Sequence, residues 1–363
     1  MGQRGARAVR GRSQQGSRAW GPARPGRRGS VDPRAGWRWC ARPWVAAAVL
    51  AGTLTLGVGA PASAQPSGYP SAVIPTQPGP PQPEHLGASR YQKLHPNAAP
   101  AGANDFGCRP SAEHPRPVIL AHGTDSTAYS DWSAIGPQLA RAGFCVFALN
   151  YGGKPGATSF GTEELRTSSR QIGVFVRRVL AATGARRVDL VGFSQGANVT
   201  RYYINKLGGA RKVRNWVGLA SPTYGGVMFG LVPLADTLPG LWPFYRDFTS
   251  LAAVEQAQGA PFMRELNAGG DTVSGVDYTT IGSRVDEVIQ PFSNIALRGP
   301  GARNLVLQDL CPADLTGHFH MVYDPYVQQL LRNVLDPRGA RPAECREVPL
   351  GEGIPDVVLG AHS

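Results

Sequence analysis

The pentapeptide Gly192-Phe193-Ser194-Gln195-Gly196 stands between an apolar run, 188–191, and a stretch of helical pattern that begins at Gln195. A serine in that context sits on a sharp strand-to-helix turn that exposes its hydroxyl. The flanking glycines are required because side chains there would clash with the adjoining strand and helix. Such a pentapeptide arises by chance in many chains, but between a strand and a helix it marks a nucleophile. A serine hydroxyl is a weak nucleophile at neutral pH and needs a base. The base in turn needs a carboxylate to orient it and to stabilise the imidazolium. Backbone N–H groups must receive the negative oxygen of the intermediate.

Turns of this kind take first the acid and then the base from later in the chain. Of the seven histidines, His85, His95, His114, His122, His318, His320 and His362, three follow Ser194. His362 lies in the tail, a poor place to hold a ring in position. His318 and His320 share a loop after a strand ending near Gln308, where the base belongs, and spacing alone does not choose between them. Asp286 follows the strand 276–281 in Gly282-Ser283-Arg284-Val285-Asp286-Glu287-Val288, at a carboxyl end and ahead of the histidines. Glu287 is its adjacent competitor, whereas Asp309 and Asp314 come after the next strand. The oxyanion donors are expected to be the N–H of Gln195 and that of Thr124, in Ala121-His122-Gly123-Thr124. His122 precedes the serine and is expected to support its loop through hydrogen bonds.

Six short apolar runs supply the strands: 118–121, 144–149, 188–191, 216–220, 276–281 and 305–307. Strands that are apolar throughout are covered on both faces. Helical patterns fall between them at 131–141, with Asp131 as capping acid, and at 162–183, 195–207 and 326–335. The alternation predicts an α/β fold with a mostly parallel central sheet, helices on both faces and right-handed crossovers. Residues 223–275 break the rhythm. They hold Pro- and Gly-interrupted apolar stretches at 228–234 and 238–244, which read as a lid or acyl-binding insertion.

Residues 1–44 carry eleven Arg and one acid, Asp32, and so account for +10 of the net +12. The basic balance belongs to a leader, not to a nucleic-acid surface. An uncharged run, 45–60, follows and ends in Pro61-Ala62-Ser63-Ala64-Gln65, a signal-peptide pattern with cleavage after Ala64. The export segment therefore spans 1–64, and its long basic part is explained equally by an over-extended gene start. Residues 65–107 are rich in Pro, Gly and Ser and read as a linker. A catalytic domain over 108–350 and a tail over 351–363 complete the chain. Export leaves four cysteines in an oxidising compartment, and three connectivities are open to them. Cys108 and Cys145 adjoin two candidate neighbouring strands and are expected to pair, leaving Cys311 with Cys345. No CxxC or His/Cys spacing suggests zinc.

The chain resembles the class 2 lipases, secreted bacterial esterases and triacylglycerol lipases with the α/β-hydrolase fold. The resemblance rests on 117–124, 143–152, 188–196, 278–288 and 307–314 leading to His318, and covers about residues 105–340. It implies Ser194 as nucleophile, Asp286 as acid and His318, over His320, as base, and it repeats the Cys108–Cys145 pair. It also implies two-step acyl transfer to water from carboxylic esters such as acylglycerols, with no cofactor. The partners expected are an ester substrate and no nucleic acid, and a transient contact with a lipid interface would fit. Polyester or other extracellular carboxylester hydrolysis, and acyl transfer, would use the same three residues. This chain departs from the family in three places: Phe193 stands where His is common, Gly196-Ala197 where two glycines are usual, and 251–257 lack a cysteine pair.

Overall fold

The computed structural model describes residues 71–154, 156–227 and 250–362. The expected export segment 1–64, residues 65–70 and the apolar stretches 228–234 and 238–244 of the expected insertion lie outside them. In chain order the elements before the central sheet are β1 (Gln77–Gly79), α1 (His85–Leu94) and β2 (Ala98–Pro100). The first half of the sheet region holds β3 (Val118–Ala121), α2 (Ala128–Trp132), α3 (Ile135–Arg141), β4 (Val146–Leu149), α4 (Leu165–Thr183) and β5 (Val188–Phe193). After these come α5 (Gln195–Lys206), β6 (Val213–Leu219), α6 (Leu251–Glu255), α7 (Pro261–Asn267) and β7 (Asp277–Gly282). The described chain ends with β8 (Arg303–Val306), α8 (Leu307–Leu310), α9 (Pro325–Leu335) and α10 (Ile354–His362).

Six parallel strands form the central sheet in the order β4-β3-β5-β6-β7-β8. Side chains alternate across a strand, so each strand feeds two cores. Val118, Leu120, Val146, Ala148, Val191 and Val217 pack with α2, α3 and α9. Ile119, Ala121, Phe147, Leu149, Leu190 and Trp216 pack with α4, α5 and α7. Because every strand runs the same way, the turns after β3, β5 and β7 and the chain beyond β8 all open on one edge.

The helix expected over 131–141 is two helices. Thr127 caps the first, accepting from Ser130 N at 3.0 Å while Ser130 Oγ accepts from Thr127 N at 3.1 Å. Pro137 has no N–H to return to Ser133, and the ladder breaks there. Asp131, expected as a cap, is buried and serves the loop after β3 instead. The helix expected from 162 begins at Leu165, whose N–H donates to Glu255 Oε2 of α6 at 2.7 Å. The last strand runs earlier than 305–307, and Leu307 already opens the helical turn α8.

The stretch read as a linker differs most. From residue 71 it is packed structure, with Ala88, Ala98 and Ala99 buried and β1 paired to β2. Its Pro and Gly content fits short strands and turns, and its few apolar side chains suffice because they cover the edge of β4. Val73 and Asn150 exchange backbone bonds at 2.9 and 2.8 Å. Asn104 N donates to Val146 O at 2.9 Å. The Asn104 side chain accepts from Ala148 N at 2.8 Å and donates to Ala148 O at 2.9 Å. The tail also folds, as α10, and Lys93 Nζ of α1 donates to Gly360 O at 2.7 Å.

Cys108 is joined to Cys145 and Cys311 to Cys345. The first bridge closes a separation of 37 residues, the second 34. Loops of that length correspond to roughly 3–4 kcal/mol of chain entropy each. Reduction is therefore expected to lower the melting temperature in calorimetry with and without a thiol reductant. An unchanged transition would mean that the bridges add nothing to stability.

Candidate active site

Ser194 ends the turn between β5 and α5 with φ 51° and ψ −120°, a backbone state that costs on the order of 1–3 kcal/mol. Two close approaches hold it there. A Cβ on Gly192 would lie 2.3 Å from Ala197 N, and one on Gly196 would lie 2.1 Å from Ala121 O. Neither position has room for a side chain, so β5, α5 and β3 converge directly under the hydroxyl.

His318 and Asp286 reach that hydroxyl from the turns beyond β8 and β7. Ser194 Oγ lies 3.0 Å from His318 Nε2, and His318 Nδ1 lies 3.0 Å from Asp286 Oδ2. The second oxygen, Asp286 Oδ1, accepts from Val288 N at 2.9 Å and Ile289 N at 2.7 Å. Asp286 is fully buried, and His318 and Ser194 are 4% and 8% exposed. Charges there are weakly screened. Burial works against the imidazolium of His318. The carboxylate of Asp286, aided by its hydrogen bond and by Glu287 and Asp131, outweighs burial and holds the pKa above the ordinary 6.5.

Glu287, the competitor for the acid, faces the other way. Its Oε2 accepts from His318 N at 2.7 Å and its Oε1 from Phe319 N at 3.2 Å. A Cβ on Gly317 would lie 1.9 Å from Glu287 Oε2, so a side chain there would push the carboxylate out of its present position. Adjacent acids thus hold the ring and the backbone of one residue. Thr316 fixes the approach to that loop. Its N–H donates to Asp314 Oδ1 at 2.9 Å and its hydroxyl to Asp324 Oδ2. The remaining expected candidates stand apart: Asp309 pairs with Arg284, and His320 bonds to neither Ser194 nor Asp286.

The loop after β3 carries Thr124. Gly123 N donates to Asp131 Oδ2 at 2.6 Å, and Ser126 Oγ donates to Asp131 Oδ1 at 2.6 Å. His122 is buried against Tyr151, whose N–H donates to His122 Nε2 at 3.3 Å. Its Nδ1 therefore carries the proton and donates to Gly123 O at 2.8 Å. Burial lowers the His122 pKa, against Asp131 and Gly123 O, which matches a neutral ring. The N–H groups of Thr124 and Gln195 have no acceptor among the described residues. Their side chains meet, Thr124 Oγ1 donating to Gln195 Oε1 at 2.7 Å. The roles of Asp131, the Glu287 clamp and Gln256, which touches both Thr124 and Gln195, were not foreseen from sequence. Glu287 and Gln256 depend on partners 31 and 61 residues away, whereas Asp131 reads from sequence as a helix cap.

The profile of the family described as Lipase (class 2) matches residues 115–330, the span that holds all of these side chains. The chain belongs to the class 2 lipase family. Two curated relatives are each 37% identical over 92 residues. The triacylglycerol lipase of Pseudarthrobacter phenanthrenivorans is matched over 24% of this chain and 27% of its own length. That of Burkholderia plantarii is matched over 24% of each. The chain thus spans about a quarter of the length of these relatives. Among solved structures, Aspergillus fumigatus lipase B superposes with a TM-score of 0.53 at 24% identity, over 72% of this chain and 62% of that one. The fold is that of the α/β-hydrolases. Within the family pattern, Phe193 packs its ring 5.1 Å from that of His318 and closes the floor beneath the imidazole. Among the described residues no group of three or more His, Cys, Asp or Glu side chains could hold a metal ion.

Proposed function

We propose that this protein is a secreted carboxylic ester hydrolase that acts on acylglycerols or similar lipid esters through an acyl-enzyme on Ser194. The observation that carries the reading is the buried chain Ser194–His318–Asp286, with both links at 3.0 Å. His318 Nε2 takes the hydroxyl proton as Ser194 Oγ attacks the ester carbonyl carbon. The carbonyl oxygen becomes an oxyanion held by the N–H groups of Thr124 and Gln195. Collapse breaks the carbon–oxygen bond to the alcohol, which leaves with the proton from His318. Water then repeats the attack on the acyl-enzyme, and the acid departs as Ser194 regains its proton.

Membership of the class 2 lipases and relatives named triacylglycerol lipase support lipid esters as substrates. Two disulfides support an oxidising destination. Among the described residues no helix is long and apolar enough to cross a membrane.

The test is hydrolysis of acylglycerols and p-nitrophenyl esters of graded acyl length across pH. His318 serves as base only when neutral, so activity is lost as pH falls through its pKa. That pKa is raised, so the acid limb of kcat/KM is expected at a midpoint above 6.5. Rates that favour short soluble esters over long ones would remove the lipid assignment. An acid limb below 6.5 would contradict the raised pKa of His318.

A further inference from the structure

The buried amide of Gln256 joins the two oxyanion-donor residues to the later part of the 223–275 insertion. Gln256 is 1% exposed and directly follows α6. Its Nε2 donates to Gln195 Oε1 at 3.2 Å, Thr124 Oγ1 at 3.3 Å and Ala252 O at 3.2 Å. Its Oε1 accepts from Asn198 Nδ2 at 3.2 Å, and Asn198, one turn after Gln195 in α5, also donates to Pro222 O at 3.0 Å. One side chain thus meets the loop after β3, the start of α5 and its own helix.

Gln195 Nε2 is buried and faces the Tyr151 hydroxyl. The amide holds that orientation because its Oε1 receives two donors, Thr124 Oγ1 and Gln256 Nε2. Those bonds fix the separation between residues 124 and 195, whose backbone N–H groups must converge on one oxygen.

We propose that Gln256 is a positioning residue that sets the oxyanion pocket by holding Thr124 and Gln195 at their working separation. The inference rests on the ester-hydrolase reading and adds to it a dependence on the later part of the insertion. Gln256 touches no reacting atom. Its effect is felt where charge develops, and displacing a group by about 1 Å there can cost roughly 100-fold.

The experiment compares the full chain with Gln256→Met, Thr124→Val and the double variant, using a p-nitrophenyl ester and thermal unfolding. Methionine keeps the volume and donates nothing, whereas Thr124→Val keeps the backbone N–H and removes the hydroxyl. Gln256→Met is expected to lose about 10- to 100-fold in kcat with KM within about threefold, because the interaction acts in the transition state. The double variant is expected to be little worse than the poorer single one, since the residues share one network. An unchanged kcat, a loss confined to KM, or fully additive losses would overturn the proposal. If Gln256→Met does not fold, Asn198→Ala releases the same amide from the α5 side and must also lose kcat; unchanged kcat there overturns the proposal. A wild-type chain that hydrolyses no ester would instead defeat the function proposed above, whereas an active wild type with unaltered variants would defeat this inference alone.

Discussion

Ser194→Ala is expected to lower ester turnover by roughly 10⁴- to 10⁶-fold while leaving the melting temperature nearly unchanged. The substitution removes one oxygen whose only hydrogen-bond partner among the described residues is His318 Nε2, at 3.0 Å. It keeps the Cβ and the φ of 51°, and with them the packing of β5 against α5. The N–H groups of Thr124 and Gln195 also stay, so a residual rate above that in water should remain. A fluorophosphonate probe, which reacts at an activated serine, should label the wild-type chain at this residue and leave the variant unlabelled. A variant retaining a tenth or more of wild-type turnover would take the nucleophile away from Ser194.

Asp286→Asn and Glu287→Gln should differ by orders of magnitude although the two residues are neighbours. Asp286 faces the ring, and an amide in its place can force the wrong tautomer on His318, a change that costs about 10⁴-fold in a comparable triad. It also removes the leading charge that raises the His318 pKa, so the acid limb of any remaining activity should move to lower pH. Glu287 holds only the backbone of residues 318 and 319. Glutamine keeps one acceptor and loses the other, so the loop loosens while the ring keeps its proton partner. A loss of about 3- to 30-fold is expected, since one charge-assisted hydrogen bond contributes about 1.5–3 kcal/mol at most. Steady-state rates and pH profiles of the two variants decide the matter. The reverse ranking would make Glu287 the acid.

What could be read from the chain depended on whether neighbours in sequence specify it. The turn around Ser194 is local: an apolar strand, two glycines and a helix in sequence define it, and the observed strain follows from them. The order of Asp286 and His318 is set by the single direction of the strands, so their approach from the turns beyond β7 and β8 was legible as well. Asp131 was not, because an acid at the start of a helical pattern reads as a cap. Only the fold reveals that Thr127 takes that task and frees Asp131 for Gly123. Glu287 and Gln256 act across 31 and 61 residues, and nothing near them in sequence marks either role. Residues 71–107 were misread for a compositional reason. Pro, Gly and small side chains suggest an unpacked segment, but a strap along a sheet edge needs hydrogen-bonding groups more than apolar bulk.

That strap has a consequence for how copies of the protein can associate. The carbonyls of Val146, Ala148 and Asn150, and the N–H groups of the last two, are occupied by Asn104 and Val73. At Ala148 a single side-chain amide stands in for the peptide group of a missing neighbour. No incoming polypeptide can extend the ladder on that flank without first evicting it. A chain cut after residue 104 would bare this flank and gain a route to fibrillar growth, even with every residue around Ser194 intact.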